Sequence, residues 1–263
     1  MEITWLGTAG FLIRAHQIEF AFDPFLSRGK GLPSPFTFND FKNTEMILLG
    51  HGHFDHAFDV PDILKYNEAK VYAPGLTGLL LNLRGVSKNQ LNITDNKEFI
   101  KKEIKLRALK SKHINFDRKL VLDTLHRCGI KGCFGMCSRG LLYPKGLVQT
   151  YYFEINNKKF LFMSSAGASA QELIEYQKLE IDYFMVPLQG HSEIQKIAAE
   201  ITNIIKPKAV IPHHHDDFYP PLSQNISLEL FQEELKKINC PAKVIEIPIF
   251  QKISLNYTLG GFL

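Results

Sequence analysis

The chain lacks both abundant cysteines and a long apolar run, the features that mark secreted disulfide-rich proteins and membrane proteins. It has four cysteines and one tryptophan in 263 residues, too few cysteines for a disulfide-stabilised secreted scaffold. No apolar run approaches the roughly 20 residues that span a bilayer, and the most apolar window, residues 76–83, contains Thr77, Gly78 and Asn82. The first residues lack the basic and apolar regions of a secretion signal. These absences predict a cytoplasmic protein with reduced thiols and no membrane span.

An excess of charge of one sign is also missing. Lys and Arg number 31 against 27 Asp and Glu, so the net charge is +4. This balance is too weak to indicate a nucleic-acid partner, although it slightly favours anionic ligands. The hydrophobic content of 45% and charged content of 22% are typical of a globular protein with a full core. Without repeats, low-complexity tracts or long linkers, the chain is predicted to form one domain over residues 1–263.

Short apolar runs between turn residues predict many strands in the first half and alternating strands and helices in the second. The predicted strands span residues 3–6, 11–15, 18–22, 46–49, 103–110, 183–186, 209–212, 243–247 and 252–255, with a hairpin at 150–163. The predicted helices span residues 61–67, 74–83, 168–178, 192–205 and 228–238. This order favours two stacked sheets with helices outside them over a single parallel sheet.

One segment has an unusual density of side chains that bind metals. His51, His53, Asp55 and His56 fall within six residues, directly after the apolar run 46–49. Imidazole nitrogen and carboxylate oxygen are ligands of Zn²⁺, and a catalytic zinc needs only three of them plus a water. His51 and His53 are two residues apart at a strand end, so their rings point the same way. The other two residues lie on the next turn and can reach a second metal, since paired metals lie about 3.5–4 Å apart.

More histidines follow other predicted strands. His113 comes after the strand at 103–110, and His213, His214 and His215 follow the strand at 209–212. Adjacent residues of a strand point to opposite sides, so these three histidines should not all bind one metal. His126 is an alternative to His113. Seven of the ten histidines thus lie at predicted strand ends, which favours a metal site over a histidine-rich surface loop.

These motifs make the chain resemble the metallo-β-lactamase superfamily. The resemblance rests on the His-x-His-x-Asp-His box at residues 51–56, the opening strand pair with Gly7 and Gly10, and Asp23 after the third strand. It runs over about residues 3–222 and is nearest to a bacterial branch of ascorbate-6-phosphate lactonase-like and phospholipase D-like hydrolases. It implies an α/β fold of four layers, an αβ/βα sandwich in which two mixed sheets carry helices on their outer faces.

The resemblance also implies a set of metal ligands. The ligands form two sets of three: His51, His53 and His113, and Asp55, His56 and His214. Asp55 and His214 would also be catalytic residues. His213 and His215 would line the cleft or support the ligands by hydrogen bonds. The implied metal is Zn²⁺, as one or two ions, with Mn²⁺ or Fe²⁺ as alternatives.

The sequence departs from the superfamily pattern at one position. Most members have an aspartate that bridges both metals after the long hairpin, and Ser165 stands at the matching place. A neutral hydroxyl bridges two dications poorly, so the second metal is expected to bind more weakly. Asp216 or Asp217 could supply a carboxylate instead. The alternative role for Ser164 or Ser165 is that of a helix cap.

An insert of about residues 115–148 is rich in glycine and cysteine. Its potential soft ligands are His126, Cys128, Cys133 and Cys137. This set raises the possibility of a structural zinc or iron–sulfur site, although the Cys-x4-Cys-x3-Cys spacing differs from the usual knuckle. The alternative is a flexible lid with free thiols. Arg139 and Lys145 could contact a phosphate or carboxylate, or form an ordinary basic surface.

The favoured function is a metal-dependent hydrolase that uses metal-activated hydroxide on a small, anionic ester, lactone or phosphodiester. The alternatives are a di-iron oxidoreductase and a non-catalytic metal-binding member of the same fold. Redox members usually have a glutamate where this chain has His53. Nucleases of this fold usually bring an extra domain or a basic patch. We expect a small-molecule substrate and no nucleic-acid partner. The sequence leaves the oligomeric state open, with a homo-oligomer as one option.

Overall fold

Two mixed β-sheets of seven strands each form the centre of the fold. The computed structural model describes residues 1–94 and 97–255, with the side chains of all of these except residues 130–139. The strands are β1 (Glu2–Gly7), β2 (Gly10–Ala15), β3 (Ile18–Phe22), β4 (Thr44–Leu48), β5 (Lys70–Ala73), β6 (Leu91–Ile93), β7 (Glu98–Lys101), β8 (Ile104–Ser111), β9 (Val148–Ile155), β10 (Lys158–Met163), β11 (Tyr183–Pro187), β12 (Ala209–His213), β13 (Lys243–Val244) and β14 (Lys252–Ser254).

The strand order is β14-β1-β2-β3-β4-β5-β6 in one sheet and β13-β12-β11-β10-β9-β8-β7 in the other. The helices are α1 (Phe54–Ala57), α2 (Val60–Ile63), α3 (Gly75–Leu83), α4 (Arg118–Leu142), α5 (Ala170–Gln177), α6 (Ile194–Ile205) and α7 (Leu228–Lys237), with a 3₁₀ helix at Phe38–Phe41. None of the helices in the described ranges combines the length and apolarity that crossing a membrane requires.

The side-chain alternation of the strands produces the layers. In β10, Phe160 and Phe162 face the first sheet, whereas Leu161 and Met163 face a second core that contains residues of α5, α6 and α7. Phe22 of β3 stacks on Phe162 with ring centroids 4.5 Å apart. A third core lies between the first sheet and the α2 and α3 helices. The helix–sheet–sheet–helix sandwich predicted from the sequence is therefore confirmed.

The topology brings the ends of five strands to one edge. β3 and β4 are parallel neighbours. β8 and β10 both pair with β9 in antiparallel orientation. β11 pairs parallel with both β10 and β12, so β8, β10 and β12 all run in the same direction. The residues at or just beyond these strand ends are Asp23, His51, His113, Ser164 and His214. Carboxyl ends of parallel strands commonly carry functional sites.

One predicted helix and the predicted insert differ from the structure. The helix predicted over residues 61–67 ends at Ile63, because Lys65 and Tyr66 bond three residues back as in turns, and the Asn67 side chain donates to the Phe41 carbonyl. The insert, predicted as a glycine-rich lid, contains the long helix α4. This helix is interrupted at Gly129, where φ is 60° and ψ is −177°, a conformation almost confined to glycine.

The strand prediction was also incomplete. β5, β6 and β7 were missed, and the strand predicted over residues 243–247 is only Lys243–Val244. The missed strands have three or four residues each. Runs this short carry little periodicity, so pairing with neighbouring strands decides their conformation.

Candidate metal centre

Six side chains converge in two groups at the edge where the strand ends meet. The groups are His51, His53 and His113, and Asp55, His56 and His214, and in each group the potential ligand atoms all lie within 4.8 Å of one another. These are the six residues that the sequence predicted as ligands. The exposed His126, the rival of His113, belongs to neither group.

Both sheets contribute to the first group. His51 and His53 lie on the loop after β4, and the His51 Nε2 and His53 Nδ1 atoms are 3.0 Å apart. His113 reaches the same place from the end of β8, with its ring centroid 5.1 Å from His51 and 4.7 Å from His53.

The second group also joins the two sheets. Asp55 and His56 lie on α1, and His214 follows β12. The Asp55 Oδ2 atom is 3.3 Å from His214 Nε2 and 3.6 Å from His56 Nε2. The rings of His51 and His56 are 3.9 Å apart, so the two groups are adjacent.

The donor atoms and their spacing fit zinc. Two ligands about 2.0–2.1 Å from a tetrahedral zinc are roughly 3.3 Å apart. The observed separations of 3.0, 3.3 and 3.6 Å between candidate ligand atoms are close to this value. Imidazole nitrogen and carboxylate oxygen are also the ligand types of catalytic zinc sites. Each group could therefore hold one ion and leave a position for water.

Hydrogen bonds on the far side of three rings fix their orientation. His56 Nδ1 donates to Asp23 Oδ2 at 2.8 Å, and His113 Nδ1 donates to the Ile114 carbonyl at 2.6 Å. The Ser164 hydroxyl donates to Asp23 at 2.7 Å and lies 2.9 Å from His51 Nδ1, from which it accepts. Each bond places the proton on Nδ1, so the Nε2 lone pair is directed toward its group.

The protein environment keeps the first group uncharged. Burial lowers the pKa of His51 well below its ordinary value, and the neighbouring His56 and His53 lower it further. Burial also lowers the pKa of His53 to about 4 and lowers that of His113. These imidazoles are neutral at pH 7 without a metal, and metal ligands must be deprotonated.

The second group contains opposite charges. Burial would raise the pKa of Asp55, but His56 and His214 outweigh burial and hold that pKa well below its usual range. Burial likewise opposes charge on His56, but the carboxylates of Asp55 and Asp23 raise its pKa. A buried acid that stays ionised beside an imidazole with a raised pKa is typical of functional sites.

The segment that carries His214 adopts an unusual backbone conformation. His214 has φ of +58°, which a non-glycine residue seldom adopts. Its amide donates to the Thr8 carbonyl at 2.8 Å, and the Thr8 amide donates to Asp216 Oδ1 at 2.9 Å. The opposing Asp216 oxygen accepts from Arg28 at 2.6 Å. These contacts hold the loop in the conformation that directs His214 at Asp55.

Several expectations about the neighbours of the six residues were wrong. His213 and His215 do not line the cleft; His213 packs against Phe162 at 5.3 Å and His215 against Trp5 at 4.4 Å. Asp216 and Asp217 belong to neither group, since Asp216 pairs with Arg28 and Asp217 accepts from a serine.

Of the two alternatives for Ser164 and Ser165, a place at the site or a helix cap, the structure favours the first. Ser165 accepts from the Ile114 amide at 3.0 Å and lines the cleft, whereas Ser164 contacts His51, His56 and Asp23. Neither caps a helix, because Ser169 caps α5. Gly50 was the overlooked signal, since a Cβ there would overlap the Ser164 side chain.

The cysteine-based metal site of the insert falls partly outside the described side chains. Cys133, Cys137 and Arg139 lie in residues 130–139, so this hypothesis stays untested. Cys240, outside the insert, has a free thiol. Lys145 lies beside the histidine box, where its carbonyl accepts from the Gly52 amide at 2.9 Å.

A cleft of about 370 Å³ opens over both groups. Besides the six residues, its lining includes α4 and the loops after β8, β11 and β12. Neither residues 25–41 nor α3 is part of the described lining.

The site and the fold agree with comparisons to known families. The family model of the beta-lactamase superfamily domain matches residues 2–214, which contain all six convergent residues. This chain belongs to the metallo-β-lactamase superfamily. The resemblance inferred from the histidine box is thereby confirmed.

Relatives within the metallo-β-lactamase superfamily span most of the chain. A UPF0173 metal-dependent hydrolase of Polynucleobacter asymbioticus is 26% identical over 250 residues, which cover 90% of this chain and 81% of the relative. One from Pyrococcus furiosus is 29% identical over 242 residues, covering 90% and 92%. These matches identify the chain as a metal-dependent hydrolase of the superfamily. Igni18, a metallo hydrolase from Ignicoccus hospitalis, has the same fold, with a TM-score of 0.70, 18% identity and coverage of 97% and 98%.

Replacement of Asp23 tests whether its hydrogen bonds orient the candidate metal ligands. Its side chain is fully buried and accepts from His56, Ser164 and the Gly50 amide. Asp23→Asn should lower zinc affinity about 10- to 100-fold, because an amide cannot accept all three bonds. Competition with a chromophoric chelator would measure the change. Asp123→Asn, an exposed carboxylate on α4, should not alter the affinity, and equal affinities for Asp23→Asn and wild type would contradict the role.

Proposed function

We propose that the protein is a dinuclear zinc hydrolase of small esters, lactones or phosphodiesters, formed by one domain over residues 1–263. The two groups of three convergent side chains would each hold one zinc. The observation that carries the proposal is the adjacency of two complete donor sets whose imidazole lone pairs are directed inward by hydrogen bonds. A bound zinc supplies a water of pKa near 7 and polarises the bond to be broken.

Asp55 has the central role among the chain's own groups. It lies within 3.6 Å of both histidines of its group, and its pKa is held well below the usual range, mainly by His56 and His214 against the effect of burial. A carboxylate that stays ionised is a hydrogen-bond acceptor, so Asp55 can orient the attacking water toward the substrate. His214 holds the other side of Asp55 and fixes this geometry.

The net charge of the proposed metal centre favours a substrate that carries an anionic group. The six residues include five imidazoles and one carboxylate, so they bring one negative charge against the four positive charges of two zinc ions. Ser164 and Ser165 add no charge. The excess positive charge favours a substrate or product with a carboxylate or phosphate at the metals.

Metal content per chain, measured on protein purified without added metal, tests the dinuclear site. We expect about two zinc per chain in the wild type, and about one in both His113→Ala and His214→Ala, because each removes a ligand from a different group. His126→Ala is the matched control, since His126 lies outside both groups, and should keep two zinc.

Ser165→Asp extends the same measurement. A carboxylate at this position would face the cleft and should tighten the second zinc. Two zinc already in the wild type would mean that six ligands suffice, whereas one zinc rising to two in the variant would mean a mononuclear enzyme. Protein without metal would refute the proposal, and iron in place of zinc would favour the oxidoreductase alternative. Zinc-loaded protein would then be assayed on lactones, esters and phosphodiesters.

A further inference from the structure

The lining of the cleft includes an apolar wall beside the metal groups. Leu120 and Val121 of α4 face it from one side, and Ile114 and Phe116 from the preceding loop. Phe218 follows β12 and closes the other side. Most of the lining surface is apolar, and the six convergent residues supply the polar groups at the metal groups. The cleft thus has one end suited to a reacting polar group and one suited to hydrocarbon.

Two of the polar residues that line the cleft, Thr124 and Arg127, have hydrogen-bond partners, whereas the buried Nε2 atom of Gln189 has none among the described residues. Arg127 donates to the Thr124 hydroxyl at 3.1 Å and to the Pro221 carbonyl at 3.4 Å. Thr124 is itself buried. The polar atoms of a nucleotide or sugar that lay against Leu120, Val121 and Phe218 would lose their hydrogen bonds to water without replacement. A hydrocarbon chain carries no such cost.

The apolar wall is a fixed part of the structure. Before α4, Asp117 accepts from the amide and the hydroxyl of Ser192, both at 2.8 Å. At the other end, Arg84 donates to the Leu142 carbonyl and lies over the Tyr143 ring at 4.1 Å. These contacts anchor both ends of α4, and Leu120 and Val121 lie near the end that is fixed through Ser192.

The rim of the wall exposes large apolar side chains. Phe116 is 57% exposed and Val121 is 41% exposed, although both line the cleft. Apolar surface that remains in water beside a cleft marks a ligand-binding groove. Its burial by a ligand contributes about 25 cal/mol for each Å² removed from water.

We propose that the cleft binds the aliphatic chain of a carboxylic ester or lactone and of the fatty carboxylate that it releases. The carboxyl end lies at the metal groups, and the chain lies along Leu120, Val121 and Phe218. The identification of the carboxyl end rests on the proposed function, whereas binding of the chain depends only on the apolar wall.

Binding of butanoate, hexanoate, octanoate and decanoate, measured by calorimetry on zinc-loaded and chelator-treated full-length protein, tests the proposal. A fully buried CH₂ contributes about 0.8 kcal/mol, which corresponds to about fourfold in affinity. We expect affinity to rise by about two- to fourfold for each added CH₂ in both forms, until the chain leaves the cleft. Affinity that does not change with chain length would overturn the proposal.

A pair of variants locates the chain. Leu120→Ser combined with Val121→Ser should reduce the increase to less than about 1.5-fold per CH₂, because the hydrocarbon would lie against hydroxyls. Leu122→Ser is the matched control, since Leu122 is 56% exposed on the same helix and outside the lining. Thermal unfolding of all three proteins would show that they fold. An unchanged increase in the double variant would refute this location.

Hydrolysis separates the two proposals. If chain length raises affinity but zinc-loaded protein cleaves no ester or lactone, the apolar site stands and the proposed hydrolysis of such substrates fails. If esters of butanoic and decanoic acid are cleaved with equal kcat/KM, and butanoate and decanoate bind with equal affinity, the proposed hydrolysis stands and the apolar site fails.

Discussion

Replacing Asp55 with asparagine is expected to reduce the zinc-dependent hydrolysis rate by about 10²–10⁴-fold, the contribution of a well-positioned proton-handling group. Asp55 is the one carboxylate among the six convergent residues. Its buried side chain lies 3.3 Å from His214 and 3.6 Å from His56. An amide of the same shape keeps the packing but removes the charge that, in the proposed function, binds metal and orients water.

Rate and metal content should be measured together on this variant, at zinc concentrations that saturate the wild type. We expect the loss in kcat to remain after zinc is restored, because the oriented acceptor is absent. Asp62→Asn is a suitable control: this nearby carboxylate pairs with Lys65 on the surface and should leave kcat unchanged. A zinc-saturated Asp55→Asn with nearly wild-type kcat would show that the carboxylate is dispensable.

Replacing Arg28 with methionine is expected to lower the free energy of unfolding by about 3–5 kcal/mol, because it leaves a buried carboxylate without its cation. The Arg28 and Asp216 side chains are 2% and 9% exposed, and they are joined at 2.6 Å. Asp216 also accepts from the Thr8 amide, so the pair supports the loop that carries His214. Urea denaturation of chelator-treated protein would measure the loss without a contribution from metal.

The double variant Arg28→Met with Asp216→Leu distinguishes a lost ion pair from lost packing. Removing both charges should restore much of the stability, since an apolar pair avoids the desolvation penalty. The exposed pair Asp62 and Lys65 gives the control, and Lys65→Met should leave the free energy of unfolding unchanged. If Arg28→Met were also neutral, the pair would not stabilise the fold.

The positions of the six convergent residues could be predicted because local rules determine them. The box at residues 51–56 combines a strand end with a short helix, and His113 and His214 also follow strands. The choice of His113 over His126, the choice of His214 among three adjacent histidines and the division into two sets came from the family resemblance. Local sequence could supply this much because each ligand is delivered by the strand immediately before it.

The partners of these residues could not be predicted, since they come from distant parts of the chain. Arg28 and Asp216 are 188 residues apart in sequence, and Ser164 reaches Asp23 across 141 residues. No periodicity links such pairs. The same limit applies to α4, where glycine content indicated a loop and contacts at Ser192 and Arg84 stabilise a helix instead.

The anchoring of α4 has a consequence for how enzymes of this architecture diversify. None of the six convergent residues lies between Arg118 and Leu142, and the helix is attached through contacts near its ends. Mutations, insertions or exchange of this segment can therefore reshape the apolar wall of the cleft without changing the six convergent residues. Selection can act on substrate choice and on catalysis through separate stretches of the gene, so this segment is where directed evolution of new specificities should begin.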